Sequence, residues 1–276
     1  MGLSVYNNVE ASNAHRLLAN TNSAVSKSIE RLSSGLRINR GADDAAGLAV
    51  SESMRSQIRG MNVAQRNAQD GVSMVQVADG ALGTVGDMLQ RVRDLAVQAS
   101  NGTLTDAQRK NLDIEVQQIL SEVGKTGTDT EFNGVKILAG SVATAASAVT
   151  LQVGANASQN IAFTIGTVSA SDLGISGIAV SSAASASAAI ASLDAAINTV
   201  TTARANLGAI QNRLESTINR LGVTAENVQA AESRIRDADM AREMIQFTKN
   251  QILQQSGTAM LAQANQAPQS ILSLLR

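Results

Sequence analysis

The chain reads as mostly α, an elongated antiparallel helical bundle with terminal coiled-coil helices and a small β-hairpin region in the middle of the chain. Three observations predict this. Hydrophobic residues make up 44% of the 276 residues but aromatics only 1%, so the apolar surface is nearly all Ala, Val, Leu, Ile and Met. Such residues interlock along helix seams better than they fill a broad core. The single proline is Pro268, so nothing breaks a helix before the last segment. Apolar residues also recur in alternating steps of three and four through long stretches of both halves.

The elements follow in order. Val25, Ile29, Leu32 and Leu36 stand at coiled-coil spacing near the start. Leu82, Val85, Leu89, Val92, Ala96 and Ala99 form a second stripe, and Val50, Met54, Ile58 and Met61 extend it upstream. The spacing predicts one long helix from about Asp43 to Ser100, with any interruption near its start, spanning ~85 Å at ~1.5 Å per residue. Asn101-Gly102 ends it. Thr105 and Gln108 stand at capping-box spacing before a shorter helix with Leu112, Val116, Ile119 and Val123 on one face, which Gly124 and Gly127 are expected to close.

Between Lys136 and Asp194 the only charge is Asp172. There Val149–Val153 and Ile161–Ile165 gather β-formers between Gly and Asn turns, which predicts short hairpins capping one end of the bundle. The longest seam comes next: positions 193, 197, 200, 204, 207, 211, 214, 218 and 221 are Leu, Ile, Val, Arg, Leu, Gln, Leu, Ile and Leu. A 3.5-residue repeat sustained over that length implies supercoiled partners. The helices at 43–100 and 105–123 supply them, giving a three-helix bundle. Arg204 and Gln211 are expected at the seam's edge with their polar heads in water.

Composition excludes several classes of function. Lys and Arg number 22 against 23 Asp and Glu, so no basic field exists to bind nucleic acid. No apolar run approaches the ~18 residues of a membrane-spanning helix, so no membrane insertion is expected. Cysteine is absent and His15 is the only histidine, which leaves neither a Cys/His zinc site nor a hydrolytic triad. The pairs Asp43/Asp44 and Asp237/Asp239 precede helical patterns and read as helix caps, not as a metal site. Gly124-Lys125-Thr126 imitates the end of a phosphate loop but stands in a helical segment, as a helix stop. No catalytic, cofactor-binding or metal-ligating residues are expected, and the chain is not expected to be an enzyme.

The two ends carry the functional signal. Val25, Ile29, Leu32 and Leu36 on one side, and Met240, Met244, Phe247, Ile271, Leu272, Leu274 and Leu275 on the other, are apolar stripes that a lone protomer has little means of burying. They point to a protein that becomes stable by assembling. On periodicity alone, a cytoplasmic coiled-coil signalling protein has the same pattern.

More specific segments decide between these. Ser33-Ser34-Gly35-Leu36-Arg37-Ile38-Asn39, Asp43-Asp44-Ala45-Ala46-Gly47-Leu48-Ala49, Gln69-Asp70-Gly71, the run Leu89 to Ala96, and Glu131-Phe132-Asn133-Gly134 resemble bacterial flagellin. The run from Gln251 to Arg276, with Gln254-Gln255-Ser256-Gly257-Thr258 and Ala262 to Ser270, is the most distinctive. The resemblance covers nearly the whole chain apart from about 141–190, and it is to a short form lacking the large outer variable domains. The opening Gly2 to Ser12 departs from the Ile-Asn-Thr-Asn type of run common in the family. A hook–filament junction protein, which shares flagellin-like ends, is the alternative.

The resemblance implies a filament subunit for swimming motility, a helical homopolymer of itself on the outside of the cell. It implies a terminal coiled-coil domain of 1–40 with 237–276 lining the inner tube. Around it lies a bundle of 41–140 with 181–236 as the outer tube, and 141–180 forms a small variable segment. Partners implied are the flagellar export apparatus and an export chaperone, hook-associated and filament-cap proteins, and a host Toll-like receptor. For the receptor, the family's contact positions match Arg91, Leu95 and Glu115. Arg91 and Leu95, one helical turn apart, are expected to share a reachable face off the Leu89, Val92, Ala96 seam.

Flagellins leave the cell without signal cleavage, and Met1–Asn8 lacks a basic segment followed by an apolar one. Intact-mass measurement of secreted protein is therefore expected to show a chain beginning at Met1 or Gly2. Loss of a leader of some ~20 residues, the mark of a signal peptidase, would contradict it.

Overall fold

The structure is a computed structural model that describes residues 7–140, 142 and 147–274, the side chains of 267–274 excepted. Five helices and four short strands follow one another: α1 Val9–Ser34, α2 Ala45–Ser100, α3 Asp106–Asp129, β1 Glu131–Phe132, β2 Val135–Lys136, β3 Val149–Gln152, β4 Asn160–Phe163, α4 Ala183–Arg236 and α5 Met240–Leu274. The chain forms two compact units. One comprises the described residues from Gln57 to Glu226, and the other those up to Ser56 and from Asn227.

In the Gln57–Glu226 unit, α2 buries Leu82, Val85, Leu89, Val92, Ala96 and Ala99 fully, whereas of the expected upstream extension only Met61 is buried, Met54 and Ile58 are half-buried and Val50 is exposed. Val116, Leu120 and Val123 of α3 and Leu193, Ala196, Val200, Leu207 and Leu214 of α4 complete one continuous core. The α2–α3 turn is built as its sequence requires. Thr105 Oγ1 accepts from the Gln108 backbone and Gln108 Oε1 from the Thr105 backbone, closing the capping box. The buried guanidinium of Arg109 donates to the Ala99 and Asn101 carbonyls, satisfying the end of α2. Ion pairs Arg93–Asp194 at 2.6 Å and Asp79–Arg204 at 2.9 Å run in opposite chain senses, so α2 and α4 are antiparallel. Arg204 thus sits at the seam's edge, its pKa raised first by hydrogen bonding to Asp79, and Gln211 turns outward to Glu215.

Two expectations need correction. Helix α3 does not stop at Gly124 or Gly127 but continues to Asp129. Gly127 is buried, and a Cβ there would lie 2.0 Å from the Val168 carbonyl oxygen, so it is glycine for close approach and not for termination. Second, the middle segment does not merely cap an end of the bundle. The predicted hairpin forms, β3 against β4 in the register Val149↔Phe163 to Gln152↔Asn160. The segment containing it, however, lies alongside the helices. Leu151 occupies the notch left by Gly71 of α2, Ala155 packs on Gly60, the Ile178 carbonyl accepts from Gln117, and the Val180 N–H donates to Asp113 of α3. Nine-tenths or more of Ile137, Leu138, Ile165, Ile175 and Val180 is removed from solvent. A second hairpin, β1–β2, turns on Asn133 at φ 51° and Gly134 at φ 76°, the signs a type I′ turn requires.

In the other unit α1 and α5 pair antiparallel. The Asn8 amide donates to the Ala264 carbonyl at one end, and the Ala238 N–H to the Gly35 carbonyl at the other. Gly35 ends α1 in the left-handed region at φ 71°.

Gly124 and Gly127 provide a paired test. Gly127→Ala is expected to lower unfolding free energy by about 1–3 kcal/mol through overpacking. Gly124→Ala, with open space around its Cβ, should leave stability unchanged or raise it by up to ~1 kcal/mol. Urea denaturation of the two variants measures both, and equal effects would contradict the role given to Gly127.

Candidate assembly surface

The face that α1 turns to α5 is made by Ala11, Ala14, Leu18, Thr21, Val25, Ser28 and Leu32. The answering face of α5 is Glu243, Phe247, Asn250, Gln254, Gly257, Leu261 and Ala264. Both keep the steps of three and four of a coiled coil, yet most of these residues are small or polar. Ser28 and Asn250 are buried, and Gly257 admits Leu18, whose Cδ1 lies 3.3 Å from where a Cβ would stand. Glu243 faces Arg31 at 3.6 Å, and Arg31 Nε is buried without a partner.

The apolar side chains are largely elsewhere. Of the expected stripe, Val25, Leu32 and Phe247 lie half-buried in the pair's own seam and Leu36 is half-buried in the loop after α1. Ile29, Met240 and Met244 are 51%, 47% and 50% exposed. Ile271, Leu272 and Leu274 fall in the backbone of α5 with side chains outside the described residues, and Leu275 lies outside the described residues altogether. The stripe therefore divides between an inner seam and an outer face. Sequence reading missed several exposed members: Val9, Leu17, Ile245, Ile252, Leu253 and Met260. Met244, Ile245, Ile252 and Leu253, with Thr248 and Lys249, line a shallow apolar groove on α5. A search for apolar residues outside the seam would have found them, since no single seam has room for all the apolar residues of α5.

The junction beside these helices is densely hydrogen-bonded. Leu36 and Asp237 form an isolated antiparallel bridge, the Arg37 N–H donates to the Arg236 carbonyl at 2.7 Å, and the Arg37 guanidinium donates to the Ile235 carbonyl. Asp44 accepts from the Gly47 N–H and Asp239 from the Ala241 and Arg242 N–H groups, so these two cap α2 and α5 as expected. Asp43 and Asp237 do not. Asp237 accepts from the Ser233 hydroxyl. Asp43 pairs with Lys27 at 2.6 Å and accepts from the Asn39 and Arg40 N–H groups. Hydrogen bonding to the Lys27 ammonium first, and then to the Arg40 backbone, holds its carboxyl at about 2. Arg236 reaches Glu52 at 2.6 Å and lowers the Glu52 pKa.

Of the three matched receptor positions, the structure joins two. Arg91 and Glu115 form an exposed ion pair at 2.8 Å between α2 and α3. Leu95 corrects the expectation of a shared reachable face: it is only 2% exposed, inside the core. Because α2 has neighbours on two sides, its buried face is wider than one seam and takes in Leu95 beside Val92 and Ala96. Among the described residues no group of three or more Asp, Glu or His could hold a metal ion, and no helix is long and apolar enough to cross a membrane.

Comparison with known proteins matches two family models, the bacterial flagellin N-terminal helical region over residues 5–143 and the bacterial flagellin C-terminal helical region over 190–275. The flagellin FlaB2 of Treponema pallidum is 50% identical, with 99% of each chain covered. The flagellar filament 33 kDa core protein of Treponema phagedenis is 49% identical over 99% of each chain. A flagellin of Bacillus subtilis is 47% identical, again over 99% of each. Among solved structures, a putative flagellar hook-associated protein of Vibrio parahaemolyticus covers 71% of this chain and 100% of its own, at a TM-score of 0.59 and 14% identity, a likeness of fold alone.

The Asp43 carboxyl gives a pH prediction with a definite sign. Its folded pKa of about 2 lies below the ordinary 3.8, so its contribution is complete above about 3.8 and is lost as pH falls through that interval to about 2. Asp43→Asn should therefore weaken the helical signal of the full chain toward denaturant at pH 6. It should match the parent once pH is below about 2. A deficit that persists undiminished in acid would contradict the Lys27 pairing as its cause.

Proposed function

We propose, for a chain that belongs to the bacterial flagellin family and is a structural subunit of the flagellar filament, that polymerisation is carried by α1 and α5 while the Gln57–Glu226 unit folds without it. The supporting observation is the contrast between seams. The α2–α3–α4 core is lined by fully buried Leu, Val, Ile and Ala. The α5 seam offers Phe247, Leu261 and Ala264 among Glu, Asn, Gln and Gly, and leaves Met244, Ile245, Ile252, Leu253 and Met260 facing outward. Each such side chain gains roughly 1.5–3 kcal/mol when fully buried, and neighbouring copies are the surface that would bury it. In this reading 1–40 with 237–276 form the inner-tube domain, 41–140 with 181–236 the outer bundle, and 141–180 the small variable segment. The filament is placed outside the cell. Its subunits arrive by the flagellar export apparatus with an export chaperone, and meet hook-associated and cap proteins at its ends.

Receptor recognition belongs to the same proposal. Arg91 and Glu115 supply the accessible polar contact to a host Toll-like receptor, and Leu95 supports it from inside by packing the buried face of α2 into the core. Arg91→Ala is then expected to weaken signalling by soluble protomer with helicity intact. Leu95→Ala should cost about 2–5 kcal/mol of bundle stability, an effect that circular dichroism separates from contact loss.

Deleting 237–276 is the decisive test of assembly. It should leave a soluble, helical, monomeric chain that neither forms filaments nor seeds them, as read by sedimentation and electron microscopy. Normal filaments from that truncation, or collapse of the 57–226 unit, would refute the division of labour.

A further inference from the structure

Methionine is distributed unevenly between the two kinds of surface. Met61 and Met74 are 6% and 7% exposed on the inner face of α2, and Met54 and Met88 are half-buried there. Met240, Met244 and Met260, all on α5, are 47%, 50% and 63% exposed. Met240 and Met244 stand one turn apart, and Met244 is a wall of the apolar groove with Ile245, Ile252 and Leu253. A thioether is apolar and conforms to irregular partners, which suits a surface that must pack against another chain. It is also the oxidisable group of that surface. The chain has no cysteine, so among the sulfur groups of the described residues these three methionines are the ones most open to an oxidant.

We infer that Met240, Met244 and Met260 are modification sites for peroxide-class oxidants, and that their conversion to sulfoxide bars a free protomer from the filament. The inference rests on the proposed burial of the α5 outer face by a second copy. In the step, a sulfur lone pair attacks one oxygen of hydrogen peroxide and the O–O bond breaks. The sulfur becomes a sulfoxide, oxidised by two electrons, and the peroxide is reduced to water. The product is polar and chiral where the partner surface requires an apolar group, so the face no longer packs. A sulfoxide reductase drawing two electrons from a dithiol returns the thioether, releases water and leaves a disulfide in the reductant. Subunits already in the filament are protected, because assembly covers the same sulfur atoms. The modification therefore acts on the supply of protomers and spares the polymer.

The experiment uses the full chain, as protomer and as filament, treated with hydrogen peroxide and mapped by peptide mass. In the protomer, oxygen should enter Met240, Met244 and Met260 well before Met61 and Met74. Seeded elongation should fall on the order of tenfold, and reductase treatment should restore it. The triple variant Met240→Leu, Met244→Leu, Met260→Leu should elongate normally and keep that rate after peroxide. Met244→Gln, a polar side chain of similar length, should elongate slowly without any oxidant. Normal elongation by fully oxidised protomer would overturn the inference alone, as would equal peroxide sensitivity of the Leu variant. Filaments whose α5 methionines oxidise as fast as those of the protomer would overturn both it and the buried-face reading beneath it.

Discussion

A pair of helices has one interface in which to bury apolar surface, and in α1 and α5 that interface is spent largely on small and polar residues. Ser28, Asn250 and the half-buried Gln254 and Glu243 occupy positions where a self-sufficient coiled coil would carry Leu or Ile. The apolar content of α5 is not low; it is turned outward. The stability of the terminal unit is thereby coupled to whatever covers that outer face, which in the proposed reading is further copies of the chain. The outward methionines and the polar seam are two sides of that division.

The Gln57–Glu226 unit solves the burial problem internally. Its three helices share one dry core, and the segment between α3 and α4 is laid along them so that Leu151, Ala155 and Val168 fill the places where Gly71, Gly60 and Gly127 omit a side chain. Glycine within a helix costs roughly 1 kcal/mol relative to alanine, so these positions are explained by the contact each admits. The polar links Asp113 to Val180 and Gln117 to Ile178 satisfy backbone groups that the close approach would otherwise strand. Such a unit buries its apolar surface within itself.

What was legible in the sequence divides along the same physical line. Periodicity reports local geometry, so the stripes at 82–99 and 193–221, the capping box at Thr105 and the hairpin from Val149 were all readable. Tertiary approach is not periodic. Gly127 looks the same in sequence whether it ends a helix or admits a carbonyl, and its neighbours Thr126, Thr128 and Asp129 are themselves weak helix formers, so the continuation of α3 is set by the packing against Val168. Leu95 escapes a single-seam pattern because α2 has two neighbours and buries more than one stripe. The Asn133-Gly134 dipeptide is both part of the family signature and a type I′ hairpin signal. Within the terminal stripe, sequence could count the apolar residues but could not divide them into an inner seam and an outer face. That division depends on which helix is the partner, and the partner of α1 stands more than two hundred residues away.

The polar residues in the α1–α5 seam have a consequence of their own. A fully apolar seam would tolerate slippage by one heptad, since any Leu can replace another against the facing helix. The buried Asn250 and Ser28, with Gly257 opposite Leu18, make the observed alignment unlike its neighbours in register. The junction at Leu36–Asp237 fixes the same alignment from one end and the Asn8–Ala264 hydrogen bond from the other. A helical polymer repeats any error of its subunit along its whole length, so axial alignment within the pair matters more than its tightness. The seam therefore gives up stability for a fixed register.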